Sequence, residues 1–122
     1  APAVAKELGL AVSNEASDLV AGTAKLTFRM PYAMTLTAVR ASVTTAPTGA
    51  TVIVDINENG TTILSTKLSI DATEKTSVTA SSAAVISDTA LADDAEITVD
   101  IDQIGSTVPG TGLKIWLIGT LT

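Results

Sequence analysis

Asp55, Asn57, Asn59 and Gly60 stand at the D-x-N-x-N-G spacing with which a helix-loop-helix calcium loop begins: alternate oxygen donors, then the glycine of the sharp turn. The twelfth position of such a loop must supply a bidentate glutamate, and here it is Thr66. The flanking residues alternate with the period of strands, so the run reads better as a tight turn than as a metal loop. A second acidic group, Asp100 and Asp102 with Glu96, Asp93 and Asp94, sets carboxylates on alternate positions of one strand face, roughly 6.5–7 Å apart. That separation suits a surface cation or, superficially, a glycosidase pair. A catalytic pair needs one carboxylate desolvated so that its pKa rises, and nothing apolar interrupts this outward row; a solvated face is expected.

The rest of the inventory argues against catalysis. Histidine is absent, and with it the commonest general base and metal ligand; cysteine is absent, so there is no disulfide, thiolate site or redox chemistry. No Gly-x-Ser-x-Gly elbow occurs, which leaves only a Ser-Lys arrangement for a serine nucleophile. No enzyme, cofactor or resident metal is expected. Trp116 is the one tryptophan, on a strand whose other face already carries Leu113, Ile115 and Leu117. With Ile118 beside it, either the strand is covered on both sides within the fold or Trp116 lies at a subunit contact, where tryptophan is enriched. A sugar-stacking role is the third reading for a lone exposed indole.

The elements that position these residues are strands. Residues 51–56 and 61–70 are two β-branched runs flanking Asn59-Gly60, the dipeptide best suited to the positive φ angles of a tight hairpin. A two-residue Asn-Gly loop sets Ile56 opposite Ile63, whereas a three-residue loop with a bulge at Gly60 sets Val54 opposite Leu64. Residues 23–30 alternate, with Leu26, Phe28 and Met30 on one face, until Pro31 removes a ladder donor. Residues 33–45 resume as a strand whose apolar phase slips from Met34 and Leu36 to Val39, Ala41 and Val43, as a bulge near residues 37–39 produces. Residues 76–80 and 83–87 read as weak strands and 87–94 as an acidic loop. Residues 95–103 put Ile97, Val99 and Ile101 inward, and residues 113–121 are the last strand. Residues 1–13 read as an extended arm or short helix, with Gly9, Leu8, Leu10 and Val12 favouring a strand. In residues 13–23 Leu19 and Val20 are expected to tuck back.

A chain of 122 residues is one domain, and its core must come from 32 Val, Ile and Leu because aromatics are scarce. The fold class expected is all-β: a single antiparallel β-sandwich of jelly-roll type with about eight strands, residues 23–122, preceded by an N-terminal arm and loop, residues 1–22. Net charge is -6, concentrated in the second half, which disfavours nucleic acid. No run reaches the ~18 apolar residues of a membrane span, and no signal-peptide layout opens the chain, so a soluble protein without a membrane partner is expected. Val4, Leu8, Leu10, Val12, Tyr32, Trp116 and Ile118 are the expected interface residues, and a neighbouring subunit is the favoured holder of the arm.

Phe28-Arg29-Met30-Pro31-Tyr32-Ala33-Met34-Thr35-Leu36, Val39-Arg40-Ala41-Ser42-Val43, Asp55-Ile56-Asn57-Glu58-Asn59-Gly60, Ile97-Thr98-Val99-Asp100-Ile101-Asp102 and Gly112-Leu113-Lys114-Ile115 together resemble a β-sandwich module of tailed-phage structural proteins. The resemblance covers roughly residues 23–120. It implies a virion protein, either head decoration (cement) or part of a head or tail fibre, and carries over no catalytic residues. Fibre versions usually sit in longer chains with trimerising stalks; this chain has neither a heptad stalk nor a second domain, which favours a stand-alone decoration protein. The expectation is a capsid decoration protein on the outer capsid surface of the virion, partnered by the major capsid protein and by copies of itself, with a trimer first. The alternative is a receptor- or glycan-binding adsorption module.

Overall fold

The computed structural model describes residues 4–122. In chain order the strands are β1 (Ala5–Ala11), β2 (Gly22–Arg29), β3 (Met34–Ser42), β4 (Val52–Glu58), β5 (Thr61–Thr62), β6 (Leu64–Thr66), β7 (Leu68–Ile70), β8 (Val85–Ile86), β9 (Ala90–Leu91), β10 (Glu96–Gln103) and β11 (Lys114–Leu121), with a 3-10 turn at Ser77–Thr79. One antiparallel sheet has the order β1-β11-β3-β9; the other runs β2-β10-β4-β5, with β7 also on β4; β6 and β8 form a two-stranded ribbon. Apart from that ribbon and the β4 hairpin, successive strands alternate between the sheets, which is the connectivity of a jelly roll. Counting β5 and β7 as one interrupted strand and setting the ribbon aside gives the eight strands expected.

The period-2 alternation decides what is inside. Val52, Val54 and Ile56 of β4, Ile97, Val99 and Ile101 of β10, and Ile115 and Leu117 of β11 are almost fully buried between the sheets, joined by Met34, Leu36 and Ala41 of β3. Each large aliphatic contributes about 1.5–3 kcal/mol on burial before chain entropy is set against it. In β3 the phase slip is a bulge: Ile118 pairs with Ala38, the next pair is Gly119 with Leu36, and Thr37 is the extra residue. Gly119 is required there, because a β-carbon would lie 2.0 Å from the Thr35 carbonyl oxygen.

The central hairpin takes the two-residue loop. Asn59 and Gly60 have φ of 49° and 86°, Glu58 pairs with Thr61, and the Ile63 amide donates to the Ile56 carbonyl at 2.9 Å. Beyond Ile63 the second strand leaves β4, pairs as β6 with β8, and returns as β7 with Val54 opposite Leu68. The Thr62 hydroxyl accepts from the Leu64 amide at 3.1 Å, a local side-chain bond that turns the chain out of the ladder.

Four expectations change. Residues 76–80 are not a strand: the Thr76 hydroxyl accepts from the Val78 amide and starts the 3-10 turn instead. The acidic loop contains β9, whose Leu91 is buried and whose register sets Leu91 against Met34. The arm is held by the chain's own sheet rather than by a neighbour, since β1 pairs with β11 from Ala5 to Ala11 without a break. Residues 1–3 of that arm lie outside the described residues. In the following loop Leu19 tucks into the core while Val20 stays exposed.

Deleting residues 1–12 removes a whole strand and bares one side of Ile115 and Leu117. It should destabilise the domain by at least about 3 kcal/mol and lower Tm by more than about 10 °C. Thermal melting followed by circular dichroism measures this, and an unchanged Tm would contradict an integral β1.

Candidate functional site

Asp55, Asp100 and Asp102 lie on the outside of the β2-β10-β4 sheet, with Asp55 directly opposite Asp100. Asp55 is only 6% exposed, and one of its oxygens accepts both the Ile56 amide at 3.0 Å and the Thr62 hydroxyl at 2.5 Å. Asp100 accepts the Ala24 amide at 2.8 Å and the Asn57 side-chain amide at 3.0 Å. Ala24, at φ 49°, belongs to the segment where the β2-β10 register shifts, so Asp100 pins an irregular backbone in place. Asp102 takes the Lys67 ammonium at 2.5 Å. The Lys67 pKa is raised, first by that hydrogen bond, then by the Asp102 charge, with smaller contributions from Asp55 and Asp100. Lys67 thus pairs with Asp102 and feels the charge of the other two carboxylates.

These groups tie neighbouring strands together. Of the more exposed acids, Asp94 pairs loosely with Arg29 at 3.7 Å. Asp55, Asn57, Asn59 and Gly60 occupy a strand and a hairpin turn rather than a helix-loop-helix, and among the described residues no group of three or more acids is placed to hold a metal.

The outside of the other sheet has the opposite character. Register and alternation set three rows across β1, β11 and β3: Glu7, Ile118 and Ala38; Gly9, Trp116 and Arg40; Ala11, Lys114 and Ser42. Trp116 is the centre. Its indole lies over Gly9, where a β-carbon would come within 2.8 Å of Nε1. A cross-strand aromatic covers the bare backbone of an edge glycine, and the glycine leaves the indole room that a β-carbon would take. Lys114 at the corner is bound to Glu15, whose pKa is lowered chiefly by that hydrogen bond and secondly by the Thr44 hydroxyl.

Two adjoining open grooves, one on this face and one along its β3 edge, share Arg40 and Val78. One, of about 450 Å³, has Trp116, Ile118 and Glu7 in its walls; the other, of about 560 Å³, follows the edge of β3 from Leu36 to Arg40 and is walled by Val78 and residues 83–86. Arg40 makes no ion pair among the described residues.

Of the expected interface residues, Trp116 and Ile118 line the smaller groove. Val4 is exposed beside Leu121, whose amide donates to the Val4 carbonyl at 2.8 Å. Tyr32 is half-buried, with the Lys6 ammonium 5.5 Å from its ring centroid. Leu8, Leu10 and Val12 point the other way: Val12 is buried and the two leucines pack against the core, because the odd positions of β1 face outward. Their hydrophobic pattern marked an inner strand face rather than a docking arm. Asn59 and Gly60 make the turn expected of them. Sequence reasoning missed Arg40, Val78 and Val85 as groove residues; their only signal was a cation without a nearby acid and valines in a Ser/Thr-rich stretch.

No family model, curated protein or solved structure matches this chain.

Replacing Lys67 by Met leaves three close carboxylates without their counter-charge. The pair is partly exposed, so the expected loss is a few tenths to about 1 kcal/mol at low salt, shrinking in 1 M NaCl. Because the folded-state pKa is raised, the pair's contribution is full below the ordinary lysine range and fades as pH rises through the raised value. Denaturant melts of both proteins at two salt concentrations check this; a salt-independent difference would contradict it.

Proposed function

We propose that this chain is a non-enzymatic decoration (cement) protein of a phage head. In this reading it binds the outer surface of the assembled capsid and reinforces it, with the major capsid protein as partner and with copies of itself as neighbours, a trimer first. The observation that carries the reading is the contrast between the two outer faces. The β2-β10-β4 face is a row of carboxylates already satisfied by backbone amides, Thr62, Asn57 and Lys67, suited to facing solvent. The β1-β11-β3 face centres on Trp116, Ile118 and Ala38 and carries one groove, with a second along its β3 edge and Val78 63% and Val85 50% exposed at their walls. An apolar centre with a polar rim is the anatomy of a protein-binding patch. The resemblance to tailed-phage structural modules supplies the identity of the partner.

A glycan-binding adsorption module is the second reading, and one observation favours it. An indole seated over Gly9, with Glu7 and Arg40 in the same groove, is a platform on which the apolar face of a sugar ring can stack.

Ile118→Glu puts a charge at the centre of the proposed docking face while leaving the core untouched. In co-sedimentation with assembled, undecorated heads the wild-type protein should pellet to saturation. The variant should bind at least tenfold more weakly, with a Tm within a few degrees of wild type. Equal binding by the two proteins would remove this face from the docking surface.

A further inference from the structure

We propose that the open stretch of the β3 edge between Leu36 and Ala41, centred on Val39, accepts an extended acidic peptide segment as an added strand. This rests on the docking reading only in taking the segment to belong to the shell partner; the geometry stands by itself.

Along the side of β3 that faces away from β11, the amides are satisfied at both ends. Leu36 donates to the Thr89 carbonyl at 2.7 Å, Ala41 to the Ser77 hydroxyl at 2.9 Å, and Val43 to the Lys75 carbonyl at 3.0 Å. Between them lies Val39. Its neighbours Ala38 and Arg40 pair with Ile118 and Trp116, and in an antiparallel ladder the direction of the backbone groups alternates. Val39 therefore points its N–H and C=O the same way as Ala41, into the larger groove, where no backbone or side-chain partner meets the amide among the described residues. The chain caps this edge with β9 on one side and the 3-10 turn on the other, and leaves the middle bare.

An unpaired edge is a template for strand addition, and the groove has the form such addition needs. Five consecutive residues of β3, Leu36 to Arg40, line one wall, and Val85 and Ile86 of β8 line the facing one. A strand laid between them bonds β3 and extends the four-stranded sheet towards the β6-β8 ribbon. From Leu36 to Ala41 is roughly 17 Å at ~3.3 Å per residue, the length of about five residues. Arg40 sets the charge. It stands on the outer face beside Val39 without an ion pair, while the larger groove's walls carry no acid. An incoming strand presents alternate side chains to that face, and a carboxylate among them meets the guanidinium.

The test uses the full chain, 15N-labelled, and two blocked synthetic pentapeptides, TVDVT and TVKVT, titrated to millimolar concentration while backbone amide signals are followed. The acidic peptide should shift the Val39, Arg40 and Val85 amides and slow the exchange of Val39. The lysine peptide should bind about fivefold more weakly, the scale of one exposed ion pair, and Arg40→Glu should reverse the preference. The inference is overturned if neither peptide moves Val39, if the shifts fall instead on Ala5–Ala11 at the other free edge, or if Arg40→Glu leaves the preference unchanged. A failed titration with intact head binding removes the groove and leaves the decoration reading standing. Failed head binding with a successful titration does the reverse.

Discussion

The hydrogen bond from the Thr62 hydroxyl to the Asp55 carboxylate is the contact around which the molecule is arranged. Asp55 is nearly buried in the middle of β4, opposite a second aspartate, and without Thr62 it would keep only its own neighbour's amide. An under-satisfied buried carboxylate costs more than the hydrogen bond itself gains. The same hydroxyl accepts from the Leu64 amide, which ends the hairpin ladder after Ile63 and sends Leu64–Thr66 out to meet β8. Segment 85–91 then lies beside β3, supplying Leu91 to the core and a wall to the groove. Lys67, carried on the returning loop, reaches Asp102 and pairs with it.

The two outer faces follow from this economy of charge. One face consumes its polar groups internally: Asp100 holds the Ala24 irregularity and an asparagine on the next strand, and Asp102 holds a lysine. The opposite face has little of this. Its centre is an indole resting on a glycine, its one ion pair among the described residues is Lys114 with Glu15 at the corner, and Glu7 and Arg40 have no ionic partner among the described residues. The first face needs nothing further; the second has apolar surface, an open strand edge and a cation to offer. The functional proposals rest on that asymmetry.

Strand alternation carried most of the fold in the sequence. The Asn59-Gly60 turn, the slip at Thr37 and the inward row Ile97, Val99 and Ile101 were legible because each follows from local geometry: positive φ at two residues, one inserted residue, and a period of two. The break after Ile63 was not legible, since it depends on Thr62 meeting a carboxylate seven residues away across the turn. β9 was hidden because two residues have no period; only the long-range match of Leu91 with Met34 makes them a strand. The pattern of Leu8, Leu10 and Val12 was legible as apolar, but which sheet it faced needed the register with β11. The apolar second face of the last strand was noticed, whereas the seat of Trp116 over Gly9 could not be, because the two positions are more than a hundred residues apart.

Electron microscopy of the intact particle tests the central functional claim most directly. A decoration protein predicts sandwich-sized density in hundreds of symmetry-related copies on the outer capsid lattice, with the Trp116-bearing sheet turned towards the shell and the Asp100 face towards solvent. A few copies at a tail or a single vertex, or a lattice contact made through the acidic face, would contradict it.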